Sequence, residues 1–288
     1  MDRVLSKRKS AWNLVNIKAR RNQTTEHYVR TFKNLYNQDP MVGLPRGGKS
    51  ASLKHMACCN LLDENENPKW VQLELLSYTI IDQTAFYNRR RRENVSMDNW
   101  DEDIVANKKE VSLYFIPQVH MLVVRRNADI SLKNIVYYLK EALNRVEPET
   151  FDVDVIVERD ILDRILNAHV ITKIYANISY SNPGHTSGFK AVFDEKLRGM
   201  DASRVEITAT GTKDNPIKKD DDGMLQAMLD ISERNGYVRA TIQLTESSKM
   251  ETIDSSEHPR TLIIPQIIND VASTIYNTVI SLFGNRNQ

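Results

Sequence analysis

Apolar and polar positions recur with readable periods along much of the chain, and those periods predict its elements. Ala11 to Arg21 reads as a strand, with Trp12 and Leu14 on one side and Val15 and Ile17 on the other. Thr24 or Thr25 then caps a helix whose apolar face carries Tyr28, Phe32 and Leu35, and Asp39–Pro40 ends it. The runs LKHMACCNLL and WVQLELLSYTII, separated by DENENPK, read as a hairpin, although the first also fits a helix. Residues 82–109 hold arginine and aspartate clusters with little periodicity and read as a long loop. VSLYFIPQVHMLVV gives two short strands around Pro117, which has no N–H to offer a central ladder.

Beyond residue 128 helices and strands alternate. Leu132, Ile135, Val136, Leu139, Leu143 and Val146 share one face of a helix that starts after Ser131 and closes at Glu147–Pro148. Phe151, Val153, Val155 and Val157 alternate as in a strand, and Asp160 is placed to cap a short helix through Ile161 and Leu166. Ile174, Ala176, Ile178 and Tyr180 alternate again, up to the turn signal Asn182–Pro183–Gly184. A helix around Phe189–Leu197, a strand around Val205–Thr210 and a helix around Met224–Ile231 follow. Asn235–Gly236 leads into YVRATIQLTE, and an amphipathic helix is expected after Pro265. The expected class is α+β: a β-rich basic part with hairpins over 1–128, then a mixed-sheet part over 129–288.

Composition changes this picture little. With 41% hydrophobic and 27% charged residues, the chain is that of a folded globular protein. No apolar run reaches the ~18–20 residues of a membrane span. The N-terminal stretch has charge but no apolar core or cleavage signal, and Cys58 and Cys59 are adjacent and offer no disulfide framework. These features predict a cytoplasmic protein with no membrane partner.

Charge changes it more. The net charge is only +1, yet residues 1–54 hold twelve basic against three acidic residues, a net of +9. Arg89, Arg90, Arg91 and Arg92 then stand in a row, with Phe86, Tyr87 and Trp100 nearby. Guanidinium groups bind phosphates in pairs of hydrogen bonds and aromatic rings stack on bases. Arg20, Arg21, Arg46, Lys49 and Arg89 to Arg92 are therefore the candidate nucleic-acid-binding residues, and DNA or RNA the expected partner.

Other motifs compete with that reading. Gly43 to Ser50 fits G-x-x-x-x-G-K-[ST] letter for letter, a spacing that would set Lys49 on outer phosphates and Ser50 on magnesium. A buried strand should precede such a loop, but Asn37, Gln38, Asp39 and Pro40 leave only Met41 and Val42, so a basic loop is the better reading. His55, Cys58 and Cys59 lack a second cysteine pair, which points to no structural metal and to small core cysteines. Asp220, Asp221 and Asp222, with Glu158 and Asp160, are the carboxylates a metal-dependent nuclease would need, but acidic residues just before Met224 are better read as the cap of a helix N-terminus. No catalytic residue and no resident cofactor is assigned.

The segments ITKIYANISYSNPGHTSGF (171–189), FDEKL (193–197), SRVEITATG (203–211) and LQAMLDISERNGYVRATI (225–242) resemble an uncharacterised bacterial family known only as a domain of unknown function. The strand–helix order is more loosely similar to that of the phage lambda exclusion protein RexA and the DNA-binding subunit of the Kiwa anti-phage system. The resemblance spans residues 128–245. It implies a bacterial or prophage defence component that binds DNA or a phage product as a homo-oligomer, and it carries over no active site. Three functions follow in order of expectation. The first is a non-enzymatic nucleic-acid-binding component of phage defence or a related stress system. The second is a magnesium-dependent nuclease or nucleotide-acting toxin. The third is a sensor or assembly subunit whose arginines meet a partner protein.

Overall fold

The computed structural model describes residues 9–20, 22–45, 47–82, 84–96, 101, 103–126, 129–148, 151–179, 188–200, 202, 204–219, 223–265 and 270–284. In chain order its elements are β1 (Lys9–Ala19), α1 (Thr25–Gln38), β2 (Val42–Gly43), β3 (Ser50–Cys58), β4 (Val71–Thr79), β5 (Phe86–Asn88), β6 (Glu93–Val95), β7 (Ala106–Ile116) and β8 (Met121–Arg125). Then come α2 (Leu132–Val146), β9 (Phe151–Val155), α3 (Arg159–Leu166), β10 (Val170–Ile178), α4 (Gly188–Gly199), β11 (Val205–Thr210) and α5 (Met224–Asn235). The chain ends with β12 (Gly236–Gln243), β13 (Met250–Asp254), β14 (Thr261–Pro265) and α6 (Val271–Phe283).

β1 organises the larger sheet, whose order is β14-β1-β8-β7-β4-β3-β2. Along one edge of β1, residues 9–13 pair with β14 and residues 15–19 pair with β9; along the other edge β8 pairs with residues 12–16. Side chains alternate across the strand, so its two faces enter two different cores. Val15, Ile17 and Ala19 join Tyr28, Phe32 and Leu35 of α1 and Leu139 and Leu143 of α2. Trp12 and Leu14 join Met121, Val123 and the inner face of α6 (Ile275, Val279, Phe283). Each fully buried ring or branched side chain, Phe32 for example, stabilises the fold by about 2–3 kcal/mol before entropy is counted.

Capping follows the sequence. The Thr24 side chain accepts the His27 N–H and the Ser131 side chain accepts the Asn134 N–H, so α1 and α2 begin where read. The helix after β9 starts earlier than the expected Asp160 cap: Glu158 is its N-cap residue and Asp160 lies in its first turn.

The smaller sheet has the order β11-β10-β12-β13. Ile174, Ala176, Ile178, Val238, Ala240 and Ile242 face α3 and α5 and form a second large core. The α+β class holds, but the mixed sheet expected for this part is antiparallel at every described pairing. The alternation of strand and helix does set β11 and β12 in the same direction across α5. β10 lies between them, however, so each hydrogen-bonded neighbour runs the other way. Residue 128 does not separate the two sheets: β9 and β14 belong to the larger one, and α2 and α6 cover its two faces. Among the described residues no helix is long and apolar enough to cross a membrane.

Candidate nucleic-acid interface

The P-loop-like string folds as a tight hairpin. Gly43 pairs with Ser50, Val42 with Ala51, and the Leu44 N–H donates to the Lys49 carbonyl at 2.8 Å. Gly47 and Gly48 take positive φ, 84° and 58°, which closes the turn. Ser50 opens strand β3 and not a helix, so no helix N-terminus is available to hold a phosphate and the nucleotide cradle is absent. The hairpin expected from LKHMACCNLL and WVQLELLSYTII is present as β3–β4. Cys58 and Cys59 are unpaired and half-buried, each against a core.

The arginine run lies at the tip of a separate hairpin inside the region read as loop. Among the described residues β5 and β6 form a two-stranded sheet of their own, with Phe86 opposite Val95, Tyr87 opposite Asn94 and Asn88 opposite Glu93. Asn88 builds the turn: its Oδ1 accepts the N–H groups of Arg90 and Arg91 at 3.0 Å, and its carbonyl accepts the Arg92 N–H at 2.7 Å. Arg92 takes φ 57° to turn the chain into β6. All four arginines are exposed. Arg91 lies 3.6 Å from Glu93, and no carboxylate pairs with Arg89, Arg90 or Arg92 among the described residues.

The remaining candidates are distributed differently. Lys49 precedes Ser50, which pairs with Tyr78 at the end of β4 from which the arginine hairpin departs. Arg20 lies towards the opposite end of the sheet: Asn16 is level with Met121 and, across β8, with Ile116 at the end of β7 remote from the hairpin, more than roughly 30 Å along the strands, and Arg20 follows beyond it. Its guanidinium is bound to Asp152 through Nε and a terminal nitrogen, both at 3.3 Å, and is neutralised there. Arg21, Arg46, Trp100 and Asp220 to Asp222 lie outside the described residues. The basic excess of the N-terminal segment is thus partly consumed internally, since Lys54 also pairs with Glu74 and Glu110 and Lys18 is buried.

Lys18 belongs to a polar cluster that the sequence did not announce. Past Leu14, the α6-facing side of β1 continues as Asn16 and Lys18, and the register sets these opposite Asp154 and Asp152 of β9. This face meets the smaller sheet. Lys18 Nζ donates to Ser179 Oγ at 2.9 Å, Asn16 Nδ2 donates to Asn235 Oδ1 at 3.2 Å, and Arg204 binds Asp154 at 2.8 Å and Asn177 Oδ1 at 2.6 Å. Lys18 is 1% exposed, and that burial, opposed by the fields of Asp152, Asp154 and Asp194, brings its pKa down to about 8. The unfolded chain, with Lys near 10.5, therefore binds more protons than the fold between these values, and stability rises with pH. The buried Tyr28 and Tyr138 hydroxyls are held well above their ordinary value of 10 by burial, so their opposing loss begins only above that pH. Urea unfolding between pH 8 and about 9.5 is expected to show a gain of about 1–2 kcal/mol that Lys18→Met removes. Burial also raises the Cys58 thiol above its ordinary 9.0, which opposes part of the gain in both proteins, so identical profiles for native and Lys18→Met protein would contradict this protonation balance.

Two further depressions mark the surface. The face of the smaller sheet turned away from α3 and α5 holds a shallow one of about 390 Å³ lined by Lys173, Tyr175, Tyr237, Arg239 and threonines. Its Arg239 is already engaged, paired with Asp254 at 2.7 Å. The second, about 500 Å³, is acidic, with Glu158, Asp160, Glu257 and His258 around Arg126. Glu158 Oε1 is engaged by the Thr261 N–H, and among the described residues no three His, Cys, Asp or Glu side chains are grouped to hold a metal.

A family model described as a domain of unknown function (DUF4747) matches residues 8–281. No curated protein matches the chain.

Proposed function

The chain belongs to the DUF4747 family, and for it we propose a nucleic-acid-binding role centred on the Arg89–Arg92 hairpin. One observation carries the reading. Four guanidinium groups are held on a backbone turn ordered by Asn88, all exposed, and three lack a carboxylate partner among the described residues. Like charges so concentrated raise the local positive potential and attract an external anion. Polyphosphate backbones are such anions, and they bind with released counterions as the driving force. The setting, phage defence or a related stress system, rests on the resemblance of residues 128–245.

The experiment is a gel shift of the full chain on mixed single- and double-stranded DNA and RNA at low salt. The native protein is expected to shift probe, and Arg89–Arg92→Ala to lose affinity by about 100-fold while keeping its Tm, because the hairpin lies outside all three cores. No shift by the native protein, or an undiminished shift by the variant, would overturn the proposal.

A further inference from the structure

We propose that the β5–β6 hairpin is a ribbon that enters the major groove of duplex DNA; the inference rests on the nucleic-acid reading and names its ligand class. Among the described residues the ribbon is a two-stranded sheet of its own and joins neither large sheet. Two strands about 4.8 Å apart, with side chains, fill the width of the B-form major groove, about 12 Å. The deep, narrow major groove of A-form RNA does not admit such an element.

The register also divides the ribbon into two faces. Phe86 and Val95 share the half-buried side, whereas Tyr87, 59% exposed, and Asn94 stand opposite each other on the other side. The outward pair carries the groups that read base edges and phosphates: an amide suited to adenine, and a phenol that contacts a thymine methyl or a phosphate oxygen. Beyond them, the four arginines leave a single turn. Their geometry is that of a tip, not of a track. A single strand offers one row of phosphates to follow, but a groove has a row on each wall, within reach of side chains diverging from one point. Glu93, beside Arg91 at 3.6 Å, is the one acidic group on the ribbon, and both partners are exposed enough for water to weaken the pair.

The test measures anisotropy of the full chain with one sequence presented as labelled DNA duplex, RNA duplex and single-stranded DNA at fixed salt. The native protein is expected to prefer the DNA duplex by about 10-fold or more over the other two. Tyr87→Ala with Asn94→Ala is expected to reduce that preference while leaving a salt-sensitive residue of binding. Equal or tighter binding of RNA duplex or single strand would overturn groove entry while nucleic-acid binding itself stood. A DNA-duplex preference unchanged in both the Tyr87/Asn94 and the Arg89–Arg92→Ser variants would place the contact elsewhere and overturn it too. Binding to none of the three would remove both this inference and the reading beneath it.

Discussion

Gly236→Ala is expected to destabilise the protein by about 3–5 kcal/mol, read as a fall in the urea midpoint with an unchanged slope. Gly236 links the end of α5 directly to β12 at φ 147°, a conformation that side chains rarely adopt. Space is closed as well. A Cβ there would stand 2.1 Å from the Asn177 carbonyl oxygen and 2.9 Å from the Ile178 Cα, both backbone atoms of β10. That strand cannot retreat cheaply, because it pairs with β11 on one side and β12 on the other, and the Asn235 carbonyl accepts the Ser179 N–H at 2.8 Å. A loss below about 1 kcal/mol, the ordinary cost of a surface substitution, would show that the junction relaxes and that the close approach does not hold the two elements.

Asp154→Ala is expected to cost about 3 kcal/mol, from a different cause. The carboxylate pairs with Arg204 at 2.8 Å where the side chains are 9% and 19% exposed, and it also contributes to the field that supports the Lys18 ammonium. Without it the guanidinium keeps, among the described residues, hydrogen bonds to the neutral oxygens of Asn177, at 2.6 and 3.2 Å, and the more distant field of Asp152. A charge left half-answered in a buried site costs more than the pair contributed. The double replacement Asp154→Leu with Arg204→Met is therefore expected to recover most of the loss, because neither charge remains. Equal instability of the single and double variants would show that shape, and not charge balance, governs this junction.

The contrast between these two sites shows what the sequence can convey. Elements with a complete local pattern are legible: the alternation in β1, the Thr24 and Ser131 caps, the apolar stripe of α2, and the strand Val205–Thr210 agree with their sequence patterns within a residue or two. Asn235–Gly236 is legible as a breaker, though not its approach to Asn177. The Lys18 cluster is not legible. Asp152 and Asp154 alternate with Phe151 and Val153, which in isolation gives a solvent face, and only the approach of the smaller sheet buries it. Arg20 likewise looks free in the sequence because Asp152, its partner, is 132 positions away.

Short or crowded elements escape the sequence for another reason. β5 and β6 have three residues each, too few for a period, and their turn is written in Asn88 and its backbone hydrogen bonds. β14 merges with the expected C-terminal helix because Thr261–Pro265 adjoins the apolar run of α6, and its strand state depends on pairing with β1. The P-loop-like string shows the converse: the letters match, but the backbone around Ser50 answers to β4. The arginine run itself needs no structure to be noticed. The fold adds that it is a single ordered tip, whereas Arg20 is neutralised at the far end of the sheet.

The most direct test is the salt dependence of DNA binding by the native protein and by Arg89–Arg92→Ala. Log K is expected to fall linearly with log salt, with a slope that becomes shallower by about 3 in the variant, roughly 0.9 for each phosphate that an arginine no longer neutralises. Identical slopes in the two proteins would mean that the hairpin neutralises no phosphate, and that the Arg89–Arg92 tip is not the nucleic-acid contact.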